Sequence, residues 1–386
     1  MVSEIGLFFE SIDASVYGQP IAGTLAERIE VHGQEGFPEV TPGTVALFSV
    51  PEYRGASFIS DSSNVDGLRL ELGRLKNNFK RLRVVDLGVI RPGESVQDTY
   101  YALSSAVAGI IKAGGIALVI GGSHDLTYAN YLGYEKLEQV VNLVTVDARF
   151  DIGDAEEEVS ESRFLHKIIL HQPNILFNYS NLAYQSHHVA QSEVELMKKM
   201  YFDVYRLGEV QANLEQVEPV VRNADMLSFD LNTVRSSDLP SNLAQEPNGL
   251  YGEEACAVSR YAGLSDKLTS FGLYNYPSDP DKRTEKLSAQ ILWYFLLGVE
   301  NRKGDYPFAD KESYLKYTVA IQDGTYDIVF YKSNLSDRWW MEVPYPSKRG
   351  AKYQRHFMVP CHYEDYQVAC NDEIPDRWWQ TFQKLG

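Results

Sequence analysis

The chain has 386 residues, 44% hydrophobic and 12% aromatic, enough for one large buried core or for a core with a smaller unit appended. A formal net charge of −17 argues against a nucleic-acid or anionic-membrane surface, because contacts to phosphate require a basic face. Three cysteines without a CxxC pairing, Cys256, Cys361 and Cys370, favour a reducing compartment over a disulfide framework. The stretch MVSEIGLFFESIDASVYG lacks the basic start and long apolar core of a secretory signal, and no segment approaches the roughly 18 apolar residues of a membrane span. A cytoplasmic protein is expected.

Residues 1–42 read as an N-terminal extension. From Gly43 a βα rhythm begins, with short apolar runs at TVALFSVP, RLRVVDLGVI, GIALVIGG, NLVTVDA, FDVYRLGEV, DMLSFDL and LTSFGLY. Helix-like segments such as SVQDTYYALSSAVAGIIKAG and NLEQVEPVVRNA lie between several of them, and RTEKLSAQILWYFLLGVEN closes the series. Near-continuous apolar strands alternating with helices predict an α/β domain over 43–303, with a mainly parallel sheet covered on both faces. Beyond it, 304–386 reads as a β-rich C-terminal appendage with a terminal helix. YLKYTVAIQDGTYDIVFYKS has the form of a hairpin turning at Asp323-Gly324, and PDRWWQTFQKL predicts the closing helix. The doubled DRWW, at Asp337–Trp340 and Asp376–Trp379, is too short for a repeat, and its tryptophans read as packing residues, with an aromatic anchor at a protein interface as the alternative.

In parallel sheets, ligand sites form beyond the carboxyl ends of the strands. Three of these strands end in polar clusters: Ser123, His124 and Asp125; Asp147, Arg149, Asp151 and Asp154; and Asp230 with Asn232. His124, Asp147, Asp151 and Asp230 would meet at one rim, with the oxygen and imidazole donors that suit a hard or borderline divalent cation. The acidic run DAEEEVSES reads as a solvated loop, and His187-His188 shows no evident metal partner.

These motifs resemble the ureohydrolase superfamily of arginases, agmatinases and formimidoylglutamases. The family's GGDHS, DAHxD and SFDxDxxDP correspond to GGSHD (121–125), DARFD (147–151) and SFDLNTVRSSDLP (228–240), supported by VALFSVPEYRGA, NGLYGEEA and the last helix. The wording of that helix leans toward the formimidoylglutamases. The resemblance implies a three-layer αβα fold of the arginase/deacetylase type and a binuclear manganese site. One metal position would be held by His124, Asp147, Asp151 and Asp230, all present. The other would need a histidine and an aspartate where this chain has Arg149 and Asn232. Arginine offers only donors and asparagine is a weaker, uncharged ligand, so the second site reads as degraded. By this reading Arg149 supplies among the carboxylates the positive charge of the missing ion. The resemblance also marks His166 in SRFLHK as the family's proton-shuttling histidine and Glu254 as an acid contacting a cationic substrate. The same two residues read, without it, as a helix interior and a first-turn helix glutamate.

The expected cofactor is therefore no metal or one divalent ion, manganese foremost. Loss of the second site favours a catalytically impaired protein acting as a protein-binding or structural module, with a protein partner or homo-oligomer. The alternatives are a one-metal C–N hydrolase of a guanidino or formimino compound, and a sensor of such a small ligand in the old pocket.

Overall fold

The computed structural model describes residues 5–33, 36–56, 65–153, 160–241, 244, 246–307, 311–344 and 356–385. Nine strands form one sheet in the order β1-β3-β2-β4-β9-β8-β5-β6-β7: Glu30–Val31 (β1), Val45–Val50 (β2), Val84–Val89 (β3), Ile116–Gly121 (β4), Val141–Val146 (β5), Leu176–Tyr184 (β6), Asp203–Arg206 (β7), Met226–Asp230 (β8) and Ser270–Tyr274 (β9). Every pairing is parallel.

All residues of β2, β4, β5, β8 and β9 are buried, which explains why they are legible as unbroken apolar runs. Alternation still decides which face each side chain covers. Val45, Leu47, Ile116, Leu118 and Ile120 pack into a cluster with helices Asp66–Arg74 (α1), Gly252–Leu264 (α8) and Lys282–Glu300 (α9). Ala46, Phe48, Ala117 and Val119 pack oppositely, with helices Val96–Lys112 (α2) and Leu126–Glu135 (α3). The result is the expected three-layer αβα arrangement.

The first residues join both cores. Ile5 and Phe9 pack beside α2, Tyr17, Leu25 and Ile29 beside α1, and β1 adds an edge strand to β3. Two strand readings shift. β7 covers only Asp203–Arg206, because LGEV opens helix Leu207–Ala212 (α6) behind a Glu209 capping contact to the Arg206 amide. β6 is missing from the sequence reading, since Asn178, Ser180 and Asn181 interrupt its apolar pattern.

The remaining strands, Tyr314–Ile321 (β10), Tyr326–Ser333 (β11), Trp339–Glu342 (β12) and Met358–Cys361 (β13), form a separate antiparallel sheet in chain order. The hairpin turns through Asp323 and Gly324, both at positive φ (55° and 82°), as glycine permits and aspartate tolerates. The two DRWW copies adopt different structures: Trp339 and Trp340 lie in β12, whereas Trp378 and Trp379 lie in helix Asp376–Leu385 (α11). Trp340 and Trp378 are buried in the core and Trp379 is 39% exposed.

This second sheet packs at the amino ends of the parallel strands. The Arg222 guanidinium, buried in helix Val217–Arg222 (α7), donates to the carbonyls of Trp339 and Cys361 and lies 4.6 Å from the Trp340 ring. His356 stacks on Phe177 at the start of β6, and Lys267, ahead of β9, reaches both His356 (3.4 Å) and Asp225 (3.4 Å). Among the described residues no helix is long and apolar enough to cross a membrane.

Candidate metal centre

Four adjacent strands, β4, β9, β8 and β5, deliver their carboxyl ends side by side. The turn after β4 carries His124, whose Nε2 contacts Ser228 Oγ at 2.8 Å; Thr127 Oγ1 lies 2.6 Å from the same hydroxyl. Pinned in this way, the ring presents Nδ1 to the carboxylates beyond β5. Nδ1 lies 3.2 Å from Asp147 Oδ2 and 3.3 Å from Asp151 Oδ2, yet it is buried without a hydrogen-bond partner. Phe164, at the start of helix Phe164–Leu170 (α4), closes over the ring at 4.6 Å.

Asp147 Oδ1 accepts from the Arg149 amide at 2.8 Å, leaving Oδ2 toward His124. Asp151 sits at φ +50°, a left-handed conformation uncommon outside glycine and recurrent where a functional site constrains the backbone. Asp230 Oδ1 accepts from the Asn232 amide and from Asn275 Nδ2, each at 2.8 Å. His124, Asp147 and Asp151 present ligand atoms all within 4.8 Å of one another. Asp230 lies outside that group but close enough for its charge to act on His124.

Electrostatics reflect the crowding. Burial opposes a charged imidazole, but contacts with Asp147 and Asp151 and the charge of Asp230 outweigh it and raise the pKa of His124 well above 6.5. Burial, then the charge of Asp147, pushes Asp151 well above the usual carboxylate range and Asp230 up to about 7. The arrangement matches what an ion requires of its ligands. Two donors at right angles, each with a bond of about 2.1 Å, stand about 3 Å apart. The contacts of Nδ1 have that spacing, and a histidine nitrogen left unpartnered between two carboxylates is a ligand geometry.

Arg149 does not occupy the position expected of it. Its side chain is exposed and, among the described residues, its guanidinium forms no ion pair with Asp147, Asp151 or Asp230. Arg149 lies in a bend beyond the end of β5, between buried Ala148 and Phe150, and its own side chain is the exposed one of the three. Asn232 is half-buried and its side-chain oxygen accepts from the Ala244 amide at 3.1 Å, so it is spent on the loop.

Glu254 is a capping residue. Its Oε2 accepts from the Tyr251 amide (2.9 Å) and from Gln211 Nε2 (3.2 Å), fixing the first turn of α8. His166 is a half-buried residue of α4, with a buried Nδ1 that lacks a hydrogen-bond partner and no contact to the carboxylates. Asp154 and most of the acidic run lie outside the described residues.

Sequence reasoning missed Asn275. It follows β9 directly, so the strand-end rule applied to LTSFGLY would have found it. Asp125, which follows His124, accepts from Ser123 Oγ and the Tyr100 hydroxyl and is pushed up to about 6 by burial. A cavity of about 470 Å³ is lined in part by Gln185, His187, Arg206, Arg235 and Tyr251. The backbone N–H of Gln185 donates to the carbonyl of Ala148, the residue after Asp147, at 2.9 Å.

Comparison with known proteins agrees with this architecture. The sequence profile of the arginase family matches residues 52–298. The formimidoylglutamase of Staphylococcus haemolyticus (strain JCSC1435) is 24% identical over 250 residues, covering 62% of this chain and 80% of that protein. That of Streptococcus gordonii is 27% identical over 253 residues, covering 59% and 74%. Among solved structures, a Trypanosoma cruzi formiminoglutamase variant with Mn²⁺ superposes with a TM-score of 0.60 at 18% identity, covering 67% of this chain and 94% of that one. The Bacillus subtilis formimidoylglutamase gives 0.60 at 15% identity, covering 77% and 92%. The chain belongs to the arginase family, whose members are ureohydrolases.

Proposed function

We propose that this protein is a C–N hydrolase of a linear amidine, of the formimino or guanidino kind, working with one divalent ion held by His124, Asp147 and Asp151 with Asp230 beside them. The observation that carries the reading is His124 Nδ1, buried and unpartnered between two carboxylate oxygens at ligand spacing. Three carboxylates with one imidazole suit manganese, the ion named with the Trypanosoma cruzi structure. The relatives' name directs attention to formiminoglutamate as substrate.

Such an ion would polarise a water and the amidine nitrogen. The chain's residues would do the rest. Ser228 orients His124, Asn275 and the Asn232 amide fix Asp230, and Phe164 covers the centre against bulk water. The cavity lined by Gln185, Arg206 and Tyr251 would receive the substrate's remaining body.

A second reading has its own support. The positions of a second ion's ligands are an exposed arginine and an asparagine engaged with Ala244. On that ground the fold would hold an ion without chemistry and serve as a binding module for a protein partner, a second copy or a small guanidino or formimino ligand. The test is Mn²⁺ content by mass spectrometry, followed by turnover of formiminoglutamate, agmatine and arginine. An ion that is lost in Asp147→Asn, with turnover of one compound, is the expected result. An ion without turnover selects the second reading, and failure to bind Mn²⁺ overturns the site.

A further inference from the structure

The signature that marks the buried centre occurs a second time, on residues that neither the family motifs nor the reading above employ. Beyond β6 the chain turns through Gln185, His187 and His188, with the His188 amide bonded to the Gln185 carbonyl at 2.8 Å. Glu246 comes from the loop after β8, anchored through its carbonyl, which accepts from the Ser236 amide at 2.8 Å. His188 Nε2 is enclosed and without a hydrogen-bond partner, and it lies 3.2 Å from Glu246 Oε1. The His187 ring stands beside it, centroids 4.2 Å apart, and the three residues offer ligand atoms within 4.8 Å of one another.

The enclosed, unpartnered Nε2 facing a carboxylate, with a second imidazole beside it, sets the contact apart from a surface ion pair. Imidazole nitrogen is a common metal ligand. A tetrahedral ion with bonds of about 2.1 Å spaces its donors about 3.4 Å apart, close to the observed contact. His187 is exposed, so its ring can turn toward the shared point, and it also lines the cavity.

We propose that His187, His188 and Glu246 form a second and independent metal site, for a borderline transition ion of the Zn²⁺ class, at the mouth of the cavity. Two imidazoles and one carboxylate are a donor set that zinc accepts, and three protein ligands leave one position open toward the cavity. The site differs from the buried centre in chemistry: nitrogen-rich where the other is carboxylate-rich, and near the surface where the other is enclosed.

Zn²⁺ titration of the full chain, by calorimetry and native mass spectrometry, tests it. The expected result is one Zn²⁺ whose affinity falls in His187→Ala, His188→Asn and Glu246→Gln by more than the roughly 10–100-fold that loss of a supporting outer residue costs. The same ion should persist in Asp147→Asn, where the buried centre is disabled, so failure of either site is read separately. His187 is exposed, and its substitution tests the site even if His188→Asn does not fold. Unchanged Zn²⁺ affinity in His187→Ala and Glu246→Gln, or loss of all Zn²⁺ binding in Asp147→Asn, would overturn the proposal.

Discussion

At the carboxyl ends of the parallel strands, polar side chains converge on one another; at the amino ends they are engaged by the antiparallel sheet. The two ends of strand β8 show both. Asp225, just before it, accepts from the Asn142 amide (2.9 Å) and lies 3.4 Å from buried Lys267. Asp230, its last residue, is pushed up to about 7 by burial and then by the charge of Asp147. One aspartate is paired with a lysine, while the other is paired with no cation among the described residues. A parallel sheet makes this division possible, because all of its strands end on the same side. The antiparallel sheet, whose strand ends alternate in direction, contributes packing instead.

If the two ends are independent, damage to one should leave the other intact. Trp378→Ala should have the largest effect, lowering stability by about 3–5 kcal/mol through the cavity it leaves under the second sheet. Denaturant unfolding measures this, and Mn²⁺ content of the folded variant should stay unchanged. A parallel loss of bound metal would break the comparison. Next in size, Asn275→Ala removes a donor to Asp230 and should weaken Mn²⁺ binding roughly 10–100-fold with little effect on unfolding.

Lys384 offers a pH test at the amino end. It donates to Asn178, and burial pushes its ammonium down to about 8 from an ordinary 10.5. Between those values the unfolded chain binds more protons than the native one, so this group makes stability rise with pH over that window. Wild type should therefore gain thermal stability relative to Lys384→Met between pH 8 and 10, and equal pH profiles would contradict the buried charge. The smallest effect is expected of Arg149→Ala. With no ion pair to the carboxylates, its removal should change stability by less than about 0.5 kcal/mol and leave Mn²⁺ content unaltered. A large change in either would restore the guanidinium to the centre.

Much of this was legible in the sequence, for a physical reason. Strands buried on both faces must be apolar throughout, so β2, β4, β5, β8 and β9 announce themselves, and the polar residues that end them mark the rim. β6 was hidden because its buried polar residues satisfy one another in space: Asn181 donates to Thr145 and to the Arg149 carbonyl, and Asn178 to Ser180 and Asp203. Side-chain direction was the other blind spot. The position of Arg149 in DARFD suggested a charge among aspartates, but in the bend after β5 its side chain is exposed. His188 and Glu246 lie far apart in the chain, and only the fold brings them together.

The hydrogen bonds to Asp147 Oδ1 and Asp230 Oδ1 bear on which ions the buried centre would accept. A backbone amide holds the first oxygen, and an amide together with Asn275 holds the second. Each of these carboxylates thereby has its second oxygen less engaged, which favours binding an ion through that one oxygen. Calcium, which gathers six to eight oxygens and commonly takes carboxylates by both, would be the less favoured ion. The hydrogen bonds around the carboxylates would then bias the choice of cation through the number of contacts they leave open.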